Sequence, residues 1–394
     1  MFVHDDCRHY LGDRPCRFGR PCVGCPHYDP MGTRILIIKT AALGDVLRTT
    51  ALLPGLKWHY PQSHITWLTG AGSAMELLRD NPLVDVLLPF GEASLIALSA
   101  QRFDLLVSLD KEAPPAAAAV RVEASRKVGF RLTPHGTLGI FNPESAYALA
   151  LGLDNELKFF RNQKTYQGII YEMVGLEYRG EEYIFGYPEA DGERARARLA
   201  AQGAAEGDQL VALCPGAGST FANKNWTPEG YSQLIGWLRS VHRTSVHRTR
   251  APGVQVLLGG GPEDAPLLDR IAQRVGPPLL LSGTDNAIPQ FAALLDRCAL
   301  VVAGDSLPMH LAIALRKPVV AIFGPTCAQE VELYGRGEKV VTGIECSPCY
   351  KRRCDFAVTC MTAIGWERVA RAVEAQLRSV DRRSVDRQLS RAQG

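Results

Sequence analysis

The chain has 394 residues, of which 46% are hydrophobic, and this length predicts two domains of roughly 150 residues each. Its formal net charge of +3 at pH 7 is too small to indicate general nucleic-acid binding. No apolar run approaches the roughly 20 residues that cross a bilayer, and the N-terminus lacks the apolar segment of a signal peptide, so we expect a cytoplasmic protein.

Residues 1–32 form a Cys-rich N-terminal extension without hydrophobic periodicity, and such a segment cannot build a core without a cross-link or an ion. Its cysteines are Cys7, Cys16, Cys22 and Cys25. In a reducing compartment, clustered cysteines indicate metal binding before disulfides. With histidines nearby, the extension favours a structural zinc ion, and an iron–sulfur cluster is the alternative.

A first domain is predicted over residues 33–195. Buried apolar runs alternate there with helical stretches, which is typical of a parallel sheet covered by helices on both faces. The predicted strands are RILIIKT, SHITWLT, VDVLLPF, FDLLVSL and KVGF, and the predicted helices are residues 44–59, MELLRD, SLIALSAQ and PPAAAAVR. Residues 132–189 are less regular and are predicted as loops and helices that end this domain.

Residues 189–208 are predicted as a polar helix and linker, and a second alternating series over residues 205–370 predicts a second doubly wound domain. Its last unit is a strand ending at Gly304, a helix that Lys317-Pro318 breaks, and a strand over residues 319–323. Two such domains leave one cleft between their facing strand ends, where ligands of parallel sheets bind.

The C-terminal part of the chain is basic. Residues 366–394 hold seven Arg and four acidic residues, so the tail at 371–394 can contact an anionic membrane surface, and a solvated helix end is the alternative. The tandem repeats SVHRTSVHRT at 240–249 and RSVDRRSVDR at 378–387 are too short for a repeat architecture. We interpret both as surface insertions without a function.

The turn from Lys39 to Asp45 follows the first predicted strand and lacks the GxGxxG pattern of a dinucleotide site. Asp45 lies at the start of the next helix, so its carboxylate is a candidate general base for an incoming hydroxyl. The alternative is that Asp45 only caps this helix.

The loop from Cys214 to Thr220 is a candidate phosphate site in the second domain. Small residues let backbone N–H groups approach a phosphate, Ser219 and Thr220 add hydroxyl donors, and Lys224 adds a positive charge. The GK[ST] ending of a Walker A loop is absent.

Two further turns of the second domain are candidates for the same ligand. Gly260 and Gly261, within three consecutive glycines, permit close backbone approach, or they form only a flexible turn. Asp305 and Ser306 are N-cap types at the start of a helix, a position that suits anionic ligands but also an ordinary capped helix. Phosphate loops on one domain and a carboxylate on the other predict a phosphate-linked donor and a nucleophilic acceptor.

A second cysteine cluster lies within fifteen residues near the end of the second domain. Its members are Cys346, Cys349, Cys354 and Cys360. Four thiolates can hold one tetrahedral zinc ion in a structural role, and packed free thiols are the alternative. A joint site that draws ligands from both cysteine clusters is a further alternative.

Four segments resemble, in this order, the motifs of glycosyltransferase family 9, the ADP-heptose:lipopolysaccharide heptosyltransferases and their relatives. They are KTAALGDVLRTTALLP, CPGAGSTFANKNWTPEGYSQLI, LLGGGPED and AGDSLPMHLAIALRKPVVAIFGPT. The resemblance covers residues 34–369, and the motif C-x2-C-Y-K-R-x-C-x5-C-M is similar to that of the heptosyltransferase II-like branch. It implies an α/β protein of the GT-B class, with two doubly wound Rossmann-like domains that face a central cleft.

The resemblance also implies an activity, namely an inverting, metal-independent transfer of a sugar without any cofactor. The expected donor is a nucleotide sugar, ADP-heptose, and the expected acceptor is a lipid-linked saccharide of the lipopolysaccharide type at the inner face of the cytoplasmic membrane. Asp45 of the acceptor-binding first domain is the implied general base. Ser219, Thr220 and Lys224 of the donor-binding second domain are implied to hold the diphosphate.

The resemblance assigns the remaining candidates to the donor as well. Asp305 is implied to contact the donor sugar, Ser306 lies near the phosphates, and His310 matches a family position with a packing or supporting role. Leu307 stands where many members have glycine; it keeps a backbone N–H group but disfavours positive φ.

Two alternatives to this activity remain open from the sequence. A nucleotide-sugar 2-epimerase of the same fold would need acid and base residues in the donor cleft and no acceptor site. A catalytically inactive, metal-bearing binding module is the non-enzyme alternative, which Leu307 keeps open. Nucleic-acid binding through the extension is disfavoured, because its first thirty residues hold four Arg and four Asp.

Overall fold

A computed structural model of the chain describes residues 2–218, 221–243 and 254–392, with the side chains of 241–243 and 380–392 outside the description. Its internal contacts divide the chain into two units. The first comprises Met1–Leu153 and Gln167–Glu181, and the second comprises Asp154–Tyr166 and Glu182–Gly394.

A six-stranded sheet organises the first unit. Its strands are β1 (Arg34–Ile38), β2 (His64–Thr69), β3 (Val86–Pro89), β4 (Arg102–Ser108), β5 (Glu123–Leu132) and β6 (Leu138–Ile140). They lie in the order β3-β2-β1-β4-β5-β6, parallel throughout except for the antiparallel pair of β5 and β6. The predicted parallel sheet is therefore confirmed, with an antiparallel edge strand that the sequence pattern did not reveal.

Helices surround this sheet because its central strands are apolar on both faces. Residues 35–38 of β1 are fully buried, as an uninterrupted apolar run in a doubly covered strand requires. The helices along this part of the chain are α1 (Leu43–Thr49), α2 (Leu52–His59), α3 (Ser73–Leu78), α4 (Glu92–Ser99), α5 (Ala113–Arg121), α6 (Ala146–Leu153) and α7 (Tyr166–Val174). The helix predicted over residues 44–59 is thus two helices, α1 and α2.

A second six-stranded sheet, parallel throughout, organises the second unit. Its strands are β7 (Gln209–Cys214), β8 (Val254–Leu258), β9 (Leu280–Leu281), β10 (Leu300–Gly304), β11 (Val319–Phe323) and β12 (Gly337–Val341). They lie in the order β12-β11-β10-β7-β8-β9. The helices here are α8 (Glu189–Ala201), α9 (Pro228–Arg243), α10 (Ala265–Val275), α11 (Ile288–Asp296), α12 (Leu307–Ala314) and α13 (Trp366–Ala392). The predicted β10–α12–β11 unit is present as expected.

The contacts assign some residues differently from the predicted domain limits of 33–195 and 205–370. The helix of the predicted polar helix and linker is present as α8, and it lies with the second unit, where Ala195 and Leu199 are buried. Residues 154–166 also lie with that unit although they precede it in the chain. Helix α13 continues through the repeat at 378–387, whereas residues 244–249 of the other repeat lie outside the described residues.

Each sheet has a switch point at which consecutive strands continue on opposite sides. It lies between β1 and β4 in the first sheet and between β7 and β10 in the second. In open α/β sheets, ligands bind outside the carboxyl ends of the strands at such a point. Asp45 follows β1 and Asp305 follows β10, so the topology puts these two predicted residues at the switch points of their own sheets.

No helix within the described part of the chain is both long enough and apolar enough to span a membrane.

Candidate active site

The Asp45 carboxylate lies in the first turn of α1 and contacts two cations. Arg48, one helical turn further on, approaches it with Nη2 at 2.8 Å from Oδ1, and Lys39 Nζ lies 3.8 Å from Oδ2. Opposite charges at these distances attract one another and restrict where the carboxylate lies. The Asp45 side chain is about one third exposed, so a hydroxyl group can reach it.

A buried carboxylate fixes Lys39 from the other side. Asp110, at the end of β4, is fully buried and lies 2.8 Å from Lys39 Nζ. It also accepts hydrogen bonds from the backbone N–H of Thr40, at 2.6 Å, and from the Thr40 hydroxyl, at 2.7 Å. Because β1 and β4 are neighbours at the switch point, Asp110 ties the turn after β1 to the end of β4.

This arrangement bears on the capping alternative for Asp45. The N-cap position of α1 is Ala42, which makes no side-chain cap hydrogen bond, and Asp45 is the third helical residue. Its two ion pairs set the orientation of the carboxylate. A carboxylate that is fixed in orientation and partly exposed is in a position to accept a proton from an incoming hydroxyl.

In the second unit, Lys224 and Asp305 form an ion pair at the switch point between β7 and β10. Lys224 Nζ donates to Asp305 Oδ2 at 2.9 Å and to the backbone carbonyl of Asp305 at 3.2 Å. Lys224 ends a 3-10 turn over Ala222–Lys224, and Asp305 follows β10 directly. The structure therefore brings together two residues that were predicted to bind the nucleotide-sugar donor and that are 81 positions apart in the chain.

His310 is the third residue of this cluster. It is buried in α12, with Nε2 at 3.9 Å from Asp305 Oδ1 and Nδ1 at 3.3 Å from the Tyr183 hydroxyl. Burial alone would raise the pKa of Asp305, but the nearby Lys224 and His310 favour its carboxylate form and hold the pKa below its ordinary value. His310 lies where a supporting residue is expected, against Asp305 and away from the surface.

The residues between Asp305 and His310 open helix α12. Ser306 is the N-cap residue with an extended backbone, and its hydroxyl lies 3.4 Å from the Gly304 carbonyl. Leu307 is the first helical residue, and its φ angle is not positive. The leucine in place of glycine therefore causes no backbone strain here, and the half-buried turn keeps its N–H groups.

The two glycine-rich loops meet at one acidic side chain. A Cβ atom on Gly216 would collide with the Asp264 carboxylate, and one on Gly260 would lie 2.9 Å from Asp264 Oδ2. The Gly261 N–H donates to the same Asp264 oxygen at 2.9 Å. These glycines thus admit the Asp264 carboxylate between the ends of β7 and β8, a packing role that the sequence pattern did not reveal.

The remaining predicted phosphate ligands cannot be placed in the same way. Ser219 and Thr220 lie outside the described residues, and Gly218, just before them, has a left-handed backbone with φ of +71°. Their assignment to the donor stays a prediction.

The sequence pattern alone missed several residues of these sites. They are Lys39, Arg48, Asp110, Tyr183 and Asp264. A signal for Arg48 was available, since i and i+3 residues share a helix face. Lys39 lies in the same turn as Asp45, and Asp264 is three residues from Gly261, but the contacts of Asp110 with Lys39, of Tyr183 with His310 and of Asp264 with Gly216 join separate elements, so only strand order and packing reveal them.

The C-terminal cysteines lie together around one small cavity. Cys346, Cys349, Cys354 and Cys360 all line a cavity of about 30 Å³ in the second unit, and all four are free thiols. Burial and the neighbouring thiols raise the pKa of Cys360 to about 11. Within the described ranges, no group of three or more His, Cys, Asp or Glu side chains is arranged to hold a metal ion, and a structural metal at these cysteines stays a prediction.

Comparisons with known proteins agree with this fold. The model of Glycosyltransferase family 9 (heptosyltransferase) matches residues 95–359. Lipopolysaccharide heptosyltransferase 3 of Escherichia coli is 25% identical over 299 residues, which cover 72% of this chain and 81% of that protein. The crystal structure of a family 9 glycosyl transferase from Veillonella parvula DSM 2008 has a TM-score of 0.69 at 19% identity, covering 88% of this chain and 97% of its own. The structure of E. coli ADP-heptose lps heptosyltransferase II has a TM-score of 0.63 at 19% identity, covering 89% and 100%.

Two Rossmann-like units, each with charged side chains at the switch point of its sheet, have the architecture of the GT-B class. The two solved structures share this fold with the chain. The chain belongs to glycosyltransferase family 9, because the family model matches more than half of its length. It is an enzyme of sugar transfer, and neither the 2-epimerase nor the inactive binding module is favoured.

Proposed function

We propose that this enzyme transfers heptose from ADP-heptose to a saccharide acceptor of the lipopolysaccharide type, with inversion at the anomeric carbon. The family match over residues 95–359 carries the proposal. The names of its relatives, a lipopolysaccharide heptosyltransferase and an ADP-heptose lps heptosyltransferase, support this choice of donor and acceptor.

Lys224 and Asp305 serve the donor in this proposal. As the bond between the sugar and the diphosphate breaks, negative charge grows on the leaving phosphate oxygen, and a fixed cation stabilises it. Lys224 supplies that cation, and its ion pair with Asp305 holds it in place before the donor binds. Asp305, kept ionised by Lys224 and His310, accepts hydrogen bonds from hydroxyl groups of the donor sugar.

Ser219, Thr220, Ser306 and the N–H groups that open α12 are the proposed neutral donors to the diphosphate. Helix α12 directs its N-terminal amides at the switch point, where an anion is favoured. Gly260 and Gly261 are proposed to let the donor approach the backbone closely; the Gly261 N–H is already bonded to Asp264, so at Gly261 the contribution is space rather than a hydrogen bond.

Asp45 acts on the acceptor in this proposal. It takes the proton from the attacking hydroxyl while the hydroxyl oxygen forms the new bond to the anomeric carbon and the nucleoside diphosphate leaves with the bonding electrons. Arg48 and Lys39 hold the carboxylate in one orientation, and Asp110 holds Lys39. Lysine and amide groups carry the charge stabilisation, so we expect turnover to be insensitive to EDTA.

A lipid-linked acceptor also locates the reaction. We place it at the inner face of the cytoplasmic membrane, with the basic C-terminal helix α13 as the contact to anionic lipid.

The decisive experiment measures nucleotide binding and turnover together. Thermal stabilisation by ADP, GDP, UDP and CDP should be largest for ADP and should weaken in Asp305→Ala and Lys224→Met. Lys317→Met, which removes a lysine from a comparable pair with Asp296 at 3.0 Å on another surface, is the matched control and should bind ADP like the wild type.

Turnover with ADP-heptose and a heptose-deficient lipopolysaccharide acceptor should then fall by at least about a hundredfold in Asp45→Asn, because general-base catalysis contributes that much or more. ADP binding should be unchanged in this variant, and the exposed Asp80→Asn should behave like the wild type. A preference for UDP or GDP would refute the donor assignment, and full turnover in Asp45→Asn would refute the role of the base.

A further inference from the structure

The N-terminal extension has almost no regular secondary structure and no hydrophobic core of its own. Residues 2–33 contain neither a helix nor a strand, apart from one bridge between Cys7 and Pro30. Cys7 is the one buried hydrophobic residue among them, whereas Phe2, Val23 and other apolar side chains are exposed. A segment of this length with no core of its own needs another source of stability.

The four cysteines of the extension share one backbone feature, because the carbonyl of each accepts an N–H three residues later. Tyr10 donates to Cys7 at 3.0 Å and Gly19 to Cys16 at 2.9 Å, while Cys25 donates to Cys22 at 3.1 Å and Tyr28 to Cys25 at 3.4 Å. Every cysteine therefore opens a turn of the same kind. These four turns lie within the extension, and backbone bonds from Arg8 to Asp29 and from Met31 to Asp6, beside the bridge of Cys7 and Pro30, join its two ends.

The same four residues also line one cavity. Cys7, Cys16, Cys22 and Cys25 all contribute to a cavity of about 510 Å³, and all are free thiols. Arg14 and Arg20 line this cavity too, which suits a site that carries net negative charge from four thiolates.

The histidines of the extension are engaged with other groups. His4 stacks on Tyr28 with ring centres 4.1 Å apart, and His27 stacks on Phe18 at 3.9 Å. His9 Nε2 lies 3.7 Å from the Asp29 carboxylate. The cysteines are the four residues of this cavity that can supply thiolate ligands.

Four cysteines commonly hold either one zinc ion or an iron–sulfur cluster, and the cavity that these four line is wider than one ion needs. A zinc ion draws its four sulfur ligands to about 2.3 Å, and hence to within about 3.8 Å of each other. No group of three or more His, Cys, Asp or Glu side chains in the described segments is arranged to hold a metal ion, whereas a cavity of about 510 Å³ exceeds what one ion fills. A body of several metal ions and sulfides, held by four cysteines, fits such a space.

We propose that Cys7, Cys16, Cys22 and Cys25 bind a [4Fe–4S] cluster that holds the N-terminal extension in its fold. This revises the preference for zinc that the sequence alone gave. Loading is a ligand exchange with a preformed cluster held by four thiolates of a donor: the four donor Fe–S bonds break as four new ones form, and the four cysteine protons pass to the donor thiolates, so no oxidation state changes.

The cluster has a defined structural consequence for the first unit. Arg8, next to Cys7, donates to Asp85 Oδ1 at 2.7 Å and to the backbone carbonyls of Gln62 and Ser63 at 2.7 and 2.8 Å. These bonds fasten the extension to the connection before β2 and to the residue before β3. A cluster at Cys7 fixes Arg8, and through Arg8 it fixes the extension on the sheet.

The first test is the metal content and spectrum of the full-length chain, purified without oxygen and reconstituted with iron and sulfide. We expect about four iron and about four sulfide per chain, a broad absorption near 400 nm, and an electron paramagnetic resonance signal after reduction. Stoichiometric zinc in place of iron, or four thiols that stay free of metal or form disulfides, would overturn the proposal.

Variants assign the cluster to these cysteines. Cys16→Ser and Cys22→Ser should lose the iron and the absorption, whereas Cys349→Ser in the C-terminal cluster and the buried, isolated Cys298→Ala should keep both. Iron that survives in the first two variants and disappears in Cys349→Ser would place the centre elsewhere and refute the assignment.

Measurements on the unaltered chain keep the proposal testable if a variant fails to fold. The four N-terminal thiols should resist alkylation in the reconstituted protein and react once the cluster is removed with chelator and oxidant. Hydrogen exchange should then rise over residues 2–30 and stay low over β1 and β4. Equal alkylation before and after this treatment would contradict the proposal.

Discussion

The ion pair of Asp110 and Lys39 offers a sharp test of how the turn that carries Asp45 is held. Asp110 is fully buried and Lys39 nearly so, with Nζ at 2.8 Å from Oδ1. Asp110→Asn keeps the shape of the side chain and removes its charge. One of the three donors at this carboxylate then faces an amide NH₂ group, and Lys39 loses its nearest counter-charge.

The expected cost follows from this geometry. Removing one partner of a buried ion pair costs about 3–5 kcal/mol, because the other charge is left uncompensated. Lys39 still lies 3.8 Å from Asp45, which lessens the loss. We therefore expect Asp110→Asn to destabilise the first unit by about 3 kcal/mol, the lower end of that range.

A double-mutant cycle separates the pair from its surroundings. Lys39→Met alone leaves the Asp110 charge buried, whereas Lys39→Met combined with Asp110→Asn leaves no unpaired charge. We expect the double variant to be more stable than the sum of the single losses by about 1–3 kcal/mol. Hydrogen exchange of the β1 and β4 amides in mild denaturant reports the unfolding of the first unit separately from the second.

The exposed pair of Lys317 and Asp296 is the control. Its atoms lie 3.0 Å apart, but the two side chains are 23% and 36% exposed, so Lys317→Met should cost less than about 1 kcal/mol. If Asp110→Asn cost no more than this control, or if the coupling energy were near zero, the buried pair would not be what holds the turn.

Three further predictions concern the second unit. Hydrogen bonds from Arg336 lower the pKa of Glu182, so the stabilisation from this carboxylate is complete above its unfolded pKa and is lost as the pH falls through its lower folded pKa. Glu182→Gln should thus destabilise the protein by about 1–2 kcal/mol at pH 7, and an acid denaturation series should show this difference shrinking once the pH falls below the ordinary range of a glutamate. Burial and neighbouring thiols raise the pKa of Cys360 to about 11, so at pH 8 the metal-free protein should be alkylated far more slowly at Cys360 than at the exposed Cys346. Equal alkylation rates, followed by peptide mass spectrometry, would contradict this. Gly216→Ala should destabilise the protein by about 1–3 kcal/mol because the new Cβ meets Asp264, whereas Gly236→Ala, in open space on α9, should stabilise it by about 0.5–1 kcal/mol. Equal shifts of the melting temperature in the two variants would refute this packing argument.

The sequence predicts local structure well where one element decides the outcome. The β10–α12–β11 unit follows from its apolar runs, its N-cap residues and the break at Lys317-Pro318. The position of Asp45 at the start of α1 follows in the same way. In these segments, burial and helix capping within a few residues determine the conformation.

Pairs formed between distant elements could not be predicted from the pattern. Lys39 and Asp110 are 71 residues apart and meet because β1 and β4 are neighbours in the sheet. Tyr183 and His310 are 127 residues apart. The alternation of strands and helices fixes the class of sheet but leaves the order of its strands open, and the strand order brings such pairs together.

The glycine loops show a different limit of the sequence pattern. Consecutive glycines after a strand predict close approach of something to the backbone. The group that approaches the backbone at Gly216, Gly260 and Gly261 is the Asp264 carboxylate of this chain. Glycine spacing states that space is needed, and the identity of the occupant comes from the tertiary structure.

The chain passes between the two units three times, after residues 153, 166 and 181, and this has a consequence for how the protein is made. Helix α7, whose Tyr171 hydroxyl donates to the Ala51 carbonyl in the first unit, is synthesised after residues 154–166 of the second. Lys158, in that early segment, stacks its ammonium on Tyr350, which appears almost two hundred residues later. During synthesis the first unit can fold once α7 has left the ribosome, whereas the segment around Lys158 cannot make its contact with Tyr350 until the end of the second unit has been made. A fragment that ends at residue 181 would leave that turn without its partners, and one that starts at residue 182 would leave Tyr350 without its cation.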